Sequence, residues 1–89
     1  MVATKDLIKA GLLSAGEILV WNRRTQGNSY LATVRSDGSI ETADGKIHRT
    51  PSGAAKHLNG NKPVDGWLAW KLKSTGQSLS SVRDNMIAK

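Results

Sequence analysis

Arg49-Thr50-Pro51-Ser52-Gly53-Ala54-Ala55-Lys56, followed after a short loop by Gly66-Trp67-Leu68-Ala69-Trp70, is the stretch that decides how this chain folds. It reads as a helix start tied to a tryptophan-rich core strand. Thr50 has the hydroxyl that an N-cap needs, Pro51 suits the first helical position where its missing N–H costs nothing, and Gly60 suits the position just past the helix end. The amides of such a first turn have no intrahelical partner, so beside Arg49 and Lys56 they suit a phosphate. Within a helix Gly53 costs about 1 kcal/mol relative to Ala. The small-residue window Ser52 to Ala55 therefore predicts a close backbone approach, either to the sheet or Trp67, or to a nucleic-acid backbone.

Upstream, short β-prone runs (Ile18 to Asn22, Tyr30 to Arg35, Ser39 to Thr42, Lys46 to His48) are separated by Gln26-Gly27-Asn28, Asp37-Gly38 and Asp44-Gly45. The two Asp-Gly pairs are hairpin signals because both positions tolerate positive φ. Tyr30, Ala32 and Val34 fall on one strand face and Leu31, Thr33 and Arg35 on the other. Thr4 is placed to cap a short first helix carrying Leu7 and Ile8. Trp67 to Leu72 reads as a later strand, and Leu79, Val82 and Met86 form one stripe of a last helix over residues 78–87. The expected fold is one α+β domain over residues 1–89: an antiparallel meander of three to four strands plus one later strand, with a short N-terminal, a central and a C-terminal helix.

Eighty-nine residues support one core. With no Phe and one Tyr, that core must draw on Trp21, Trp67 and Trp70. Thirteen Lys and Arg against seven Asp and Glu give a formal charge of +6, scattered along the chain, which favours a polyanionic partner, nucleic acid first. Cysteine is absent, which removes disulfides and thiolate chemistry. The longest apolar run, Ile18 to Trp21, is too short for a signal peptide or a membrane span, and a cytoplasmic protein is expected.

Catalytic patterns are missing. No Gly-x-Gly-x-x-Gly or Walker spacing occurs. His48 and His57, the two histidines, have no metal-ligand spacing. Asp37, Asp44 and Asp65 each precede a glycine, where turn chemistry accounts for them. Ser52 has no base placed beside it, and its position at a helix N-terminus favours capping over a nucleophilic role. The expectation is a domain that is not an enzyme and takes no cofactor or metal.

Taken in order, Asp6-Leu7-Ile8, Ala10-Gly11-Leu12-Leu13, Gly16-Glu17-Ile18-Leu19-Val20, Asp37-Gly38-Ser39-Ile40, Arg49 to Ala55 and Gly66 to Trp70 resemble the RAMA domain and related small domains with a Ser-Pro-Ser-Ala-Ala-Ala to Gly-Trp pattern. Thr50 stands where that family commonly has Ser, Gly53 where it has Ala, and Asp65 where Asn often precedes Gly-Trp. The resemblance implies a DNA-associated module, of a kind found fused to adenine methyltransferases, restriction-type proteins and deubiquitinase-like proteins. For some members it implies recognition of adenine-methylated DNA.

Charge and resemblance together predict a DNA-binding accessory module for restriction and modification, with duplex DNA and a methyltransferase, nuclease or other effector as partners and no membrane. Arg49, Thr50, Ser52 and Lys56 are the first candidates for DNA contact, and Arg23, Arg24, Gln26 and Asn28 in the first hairpin the second. Amides such as Gln26 and Asn28 pair bidentately with adenine when their loop enters a groove. Trp67 and Trp70 are either core residues or contacts to a flipped base. The rival reading is a protein-interaction module that docks an effector subunit through a sheet edge and an exposed tryptophan.

Overall fold

The computed structural model of the chain describes residues 3–23 and 27–87. The elements are α1 (Thr4–Lys9), β1 (Ile18–Arg23), β2 (Asn28–Val34), β3 (Ile40–Thr42), β4 (Ile47–His48), α2 (Pro51–Leu58), α3 (Gly66–Ala69), β5 (Lys71–Leu72) and α4 (Leu79–Ile87). The strands form one antiparallel sheet in the order β4-β3-β2-β1-β5. This is the expected α+β fold: a four-strand meander with the later strand added beside β1.

Strand alternation divides the sheet into two unlike faces. Leu19 and Trp21 of β1, Ala32 and Val34 of β2, Ile40 of β3 and Leu72 of β5 are buried in one cluster with Leu7, Ala54, Ala55, Trp70, Leu79 and Val82 from the helical segments. Val20, Leu31, Glu41, Ile47 and Lys71 occupy the alternate positions, in register across the sheet. Leu31 and Ile47 of this second face are exposed.

The Asp-Gly turns form as the sequence suggests. Asp37 Oδ1 accepts the amide of Ser39 at 3.0 Å and its hydroxyl at 2.6 Å. Gly38 sits at φ +87° with the backbone of Lys5 only 2.7 Å from where a Cβ would stand, so this turn also seats α1.

At α1 the structure departs from the sequence reading. Ala3, not Thr4, is the N-cap; the Asp6 carboxylate accepts the Ala3 amide at 2.9 Å and takes over the capping role. Thr4 lies inside the helix and is buried.

The expected strand from Trp67 to Leu72 is also corrected. Gly66–Ala69 forms one helical turn, α3, and only Lys71 and Leu72 pair as a strand. Asp65 causes the change, because its carboxylate accepts the Trp67 amide at 3.0 Å and starts a helix there.

Close backbone approach occurs at Gly66 more than at Gly53. A Cβ on Gly66 would stand 2.1 Å from the carbonyl oxygen of Pro51 and 2.4 Å from the amide nitrogen of Ser52. The nearest atom to a Cβ on Gly53 is Thr50 Oγ1 at 3.1 Å. The Gly66 amide donates to Ser52 Oγ at 3.1 Å, and the Trp70 indole N–H donates to the Pro51 carbonyl at 3.1 Å. Two bonds and one missing side chain thus clamp α3 onto the first turn of α2.

Gly66→Ala should destabilise the domain by about 3 kcal/mol, because backbone atoms cannot move aside as a side chain can. For a domain of this size that lowers the Tm by roughly 12 to 24 °C. Gly53→Ala should change stability by less than about 1 kcal/mol. Thermal and urea unfolding of the two variants test the contrast, and equal effects would contradict the clamp.

Candidate nucleic-acid interface

Around the start of α2 the sequence-predicted residues come together with altered roles. Thr50 is the N-cap, its hydroxyl accepting the Gly53 amide at 3.0 Å. Pro51 has no amide to offer, and the Ser52 amide nitrogen lies directly under Gly66. The first-turn amides are therefore not the open set that the sequence suggests for a phosphate. Ser52 uses its hydroxyl as an acceptor for Gly66. Arg49 and Lys56 are both exposed, so the anion-binding capacity of this corner lies in their side chains.

The second group lies where β1 ends and β2 begins. Arg23 is the last residue of β1 and pairs in register with Asn28, the exposed first residue of β2. Its guanidinium lies over the Trp21 ring at 5.0 Å, a cation–π contact that limits its rotamers. Arg24 and Gln26 lie outside the described residues.

The tryptophans separate by role. Trp70 is 0% exposed, its ring 5.9 Å from Trp21 and its N–H bonded to Pro51, so it has no surface to present to a base. Trp21 is packed edge to face against Trp70 and lies 5.6 Å from Tyr30. An aromatic path thus runs from the start of α2 to Arg23. Trp67 is half-buried, with the Arg83 guanidinium 4.9 Å from its ring centre. Trp21 and Arg83 escaped the sequence-based choice of site residues; Arg23 two residues after Trp21, on the same strand face, was the signal available for Trp21.

The carboxylates are largely committed inside the fold. Asp6 and Asp65 cap α1 and α3, Asp37 shapes its turn, and Glu17 accepts the Ser74 hydroxyl at 3.3 Å. Asp44 accepts from the hydroxyl of Thr42, from the Lys46 amide and from His57. Among the described residues the one ion pair between a Lys or Arg and a carboxylate is Arg35–Glu41, at 3.0 Å.

The two histidines meet at the join of β4 and α2, with ring centres 4.9 Å apart. His57 Nε2 lies 2.6 Å from Asp44, which ties α2 to the turn between β3 and β4. That contact, with the Thr42 hydroxyl, holds the Asp44 carboxyl well below the usual carboxylate range. His48 Nε2 is buried without a hydrogen-bond partner, and burial, then the neighbouring His57, pushes its pKa down. No group of three or more His, Cys, Asp or Glu among the described residues is arranged to hold a metal ion.

Fold and surface together define a small basic α+β module whose polar groups cap and brace its elements. The chain matches the family described as RAMA, Restriction Enzyme Adenine Methylase Associated, over residues 1–89, and belongs to that family. None of the curated proteins compared with it matches. Among the described residues no helix is long and apolar enough to cross a membrane.

Because His48 resists protonation in the folded state, the unfolded chain takes up the proton first, and stability should fall as pH drops below about 6.5. Asp44 adds a second loss at lower pH: its stabilisation is present above the unfolded value of 3.8 and disappears as pH falls through the lower folded value. Urea unfolding at a series of pH values should show the first decline, and His48→Phe should flatten it. Stability that is constant or rises as pH falls through this window would contradict the assignment.

Proposed function

We propose that this chain is a non-catalytic DNA-binding accessory module that serves a restriction–modification or other DNA-processing protein. The family supports the association with adenine methylases. The observation that carries the DNA reading is the division of charge. Six of the seven carboxylates are bonded to caps, turns or neighbouring side chains, while Arg23, Arg49, Lys56, Lys71 and Arg83 form no ion pair with a described carboxylate. Such cations meet a phosphate without first breaking an internal pair, and phosphate contacts supply most sequence-independent affinity.

In this reading Arg49 and Lys56 contact the backbone from the α2 corner. Thr50 and Ser52 hold that corner in shape, and the Ser52 hydroxyl still has its proton to donate. Arg23, Arg24, Gln26 and Asn28 form the second contact, with the two amides facing base edges. Sensing of adenine methylation belongs to the same proposal; Trp67, with Arg83 against it, is the tryptophan with surface left for a base.

Docking of a protein effector is the second reading, favoured by the exposed Leu31 and Ile47 on the second sheet face. Fluorescence anisotropy with matched duplexes, unmodified and containing N6-methyladenine, separates the possibilities. With four to six phosphates neutralised, log affinity should fall against log salt with a slope of about −4 to −5. A flat response, or no binding at low salt, would overturn the DNA reading in favour of protein docking. A clear preference between the duplexes is the outcome expected of a methylation reader.

A further inference from the structure

The β1–β2 ladder runs past the rest of the sheet. β5 pairs only with Leu19 and Val20, and β3 pairs with β2 from Ala32 to Val34, with one further bond from the Ala43 amide to the Leu31 carbonyl. The pairs Trp21 with Tyr30, Asn22 with Ser29 and Arg23 with Asn28 therefore form a two-stranded ribbon with no strand on either side.

The root of this ribbon is rigid. Trp21 and Tyr30 pack on each other at 5.6 Å, and Trp21 is held in the core against Trp70. Beyond that pair no side chain of the described ribbon is apolar: Asn22, Asn28 and Ser29 are exposed, and Arg23 lies over the Trp21 ring. A free end without apolar side chains offers little to a protein partner, whose interface needs a desolvated core. Charge points the same way, since no Asp or Glu occurs from Ile18 to Ser36, a stretch that contains both strands. Ser29 donates its hydroxyl to Asn22 Oδ1 at 2.7 Å, which orients the amide and leaves its NH₂ group to donate. The cations stand on opposite faces. Arg23 shares the first face with Trp21, whereas Lys71, exposed and paired with Val20, lies on the second face with Asn22.

We propose that the free end of this ribbon enters the major groove of duplex DNA, with Asn22, Asn28 and Ser29 at base edges, Arg23 on the phosphates of one strand and Lys71 on those of the other. The proposal rests on the DNA-binding reading above and gives it a groove and an orientation. A pleated layer with its side chains takes about 10 Å, the spacing of stacked sheets. That fits the major groove, about 12 Å wide, and not the minor groove, about 6 Å wide. The last two pairs extend about 7 Å along the strands, within the major-groove depth of about 8.5 Å. Purines present N7 there as an acceptor, and the Asn22 NH₂ group is a matching donor. With cations on opposite faces, the ribbon meets both phosphate walls at once.

The test is fluorescence anisotropy of the whole chain on a short duplex, and on the same duplex with its purines replaced by 7-deazapurines. That replacement removes N7 from the major groove and leaves the minor-groove edges unaltered. Asn22 is exposed, so Asn22→Ala should melt as the parent does. The replacement and Asn22→Ala should each weaken binding about tenfold, equivalent to about 1.4 kcal/mol. Combined, they should cost less than the product of the two effects, because both remove the same bond. Arg23→Gln and Lys71→Gln should each lower the salt slope by about 1. Netropsin, which fills the minor groove, should leave the complex intact. Salt-sensitive binding that ignores the 7-deazapurines, or that netropsin abolishes, would overturn the major-groove site and leave the DNA reading standing. Parental affinity in Asn22→Ala would do the same. A parent chain that binds no duplex would overturn this proposal and the DNA reading together.

Discussion

The contact of Gly66 and Trp70 with the first turn of α2 is the constraint on which the rest of this domain depends. A helix start leaves backbone groups without partners, and a helix end buried without compensation is costly. Here Ser52 and Pro51 give their oxygens to Gly66 and Trp70, and the lack of a Gly66 side chain lets the backbones touch. The same contact seats the Trp70 ring at the centre of the core, against Trp21. From there β1 is fixed, and with it the guanidinium of Arg23. A single interhelical contact therefore sets the spacing between the two cationic regions of the surface.

Much of the fold was legible because it is local. The Asp-Gly turns mark the strands on either side, alternation assigns their faces, and Thr50-Pro51 announces α2. What the sequence hid was decided by contacts between distant residues. Trp67 to Leu72 has the composition of a strand, and only the bond from the Trp67 amide to Asp65 reveals the helical turn at its start. Gly53 drew attention as the glycine in a helix, although the glycine under steric constraint is Gly66, in a segment that looked extended. Thr4 has the right residue type for a cap, but burial placed it inside the helix and left the capping to Asp6.

The candidate site was legible in kind more than in detail. Net charge and the cations flanking Pro51 can be read from residue types alone, as can the arginine at the end of the first hairpin. Which cations stand unpaired depends on where the carboxylates go, and that is a property of the folded chain. Lys71 and Asn22 look unremarkable in sequence, one a lysine in a basic chain and the other a polar residue near the end of a strand. They share a sheet face only because Lys71 pairs with Val20.

The shortness of β5 has a consequence for the order in which the surface is assembled. The meander joins neighbours along the chain, so its loops are cheap to close. The α2–α3 clamp likewise links residues no more than 19 apart. Pairing of Leu72 with Leu19, by contrast, brings together residues from opposite ends of the domain with two residues of ladder to hold them. Closing that longer loop is the costlier step, and the burial of Leu72 with the bond from the Lys73 amide to the Ile18 carbonyl holds β5 once it is in place. β5 is thus coupled to the clamp through the chain itself, since Lys71 follows Trp70 directly and Leu72 lies in the same buried cluster.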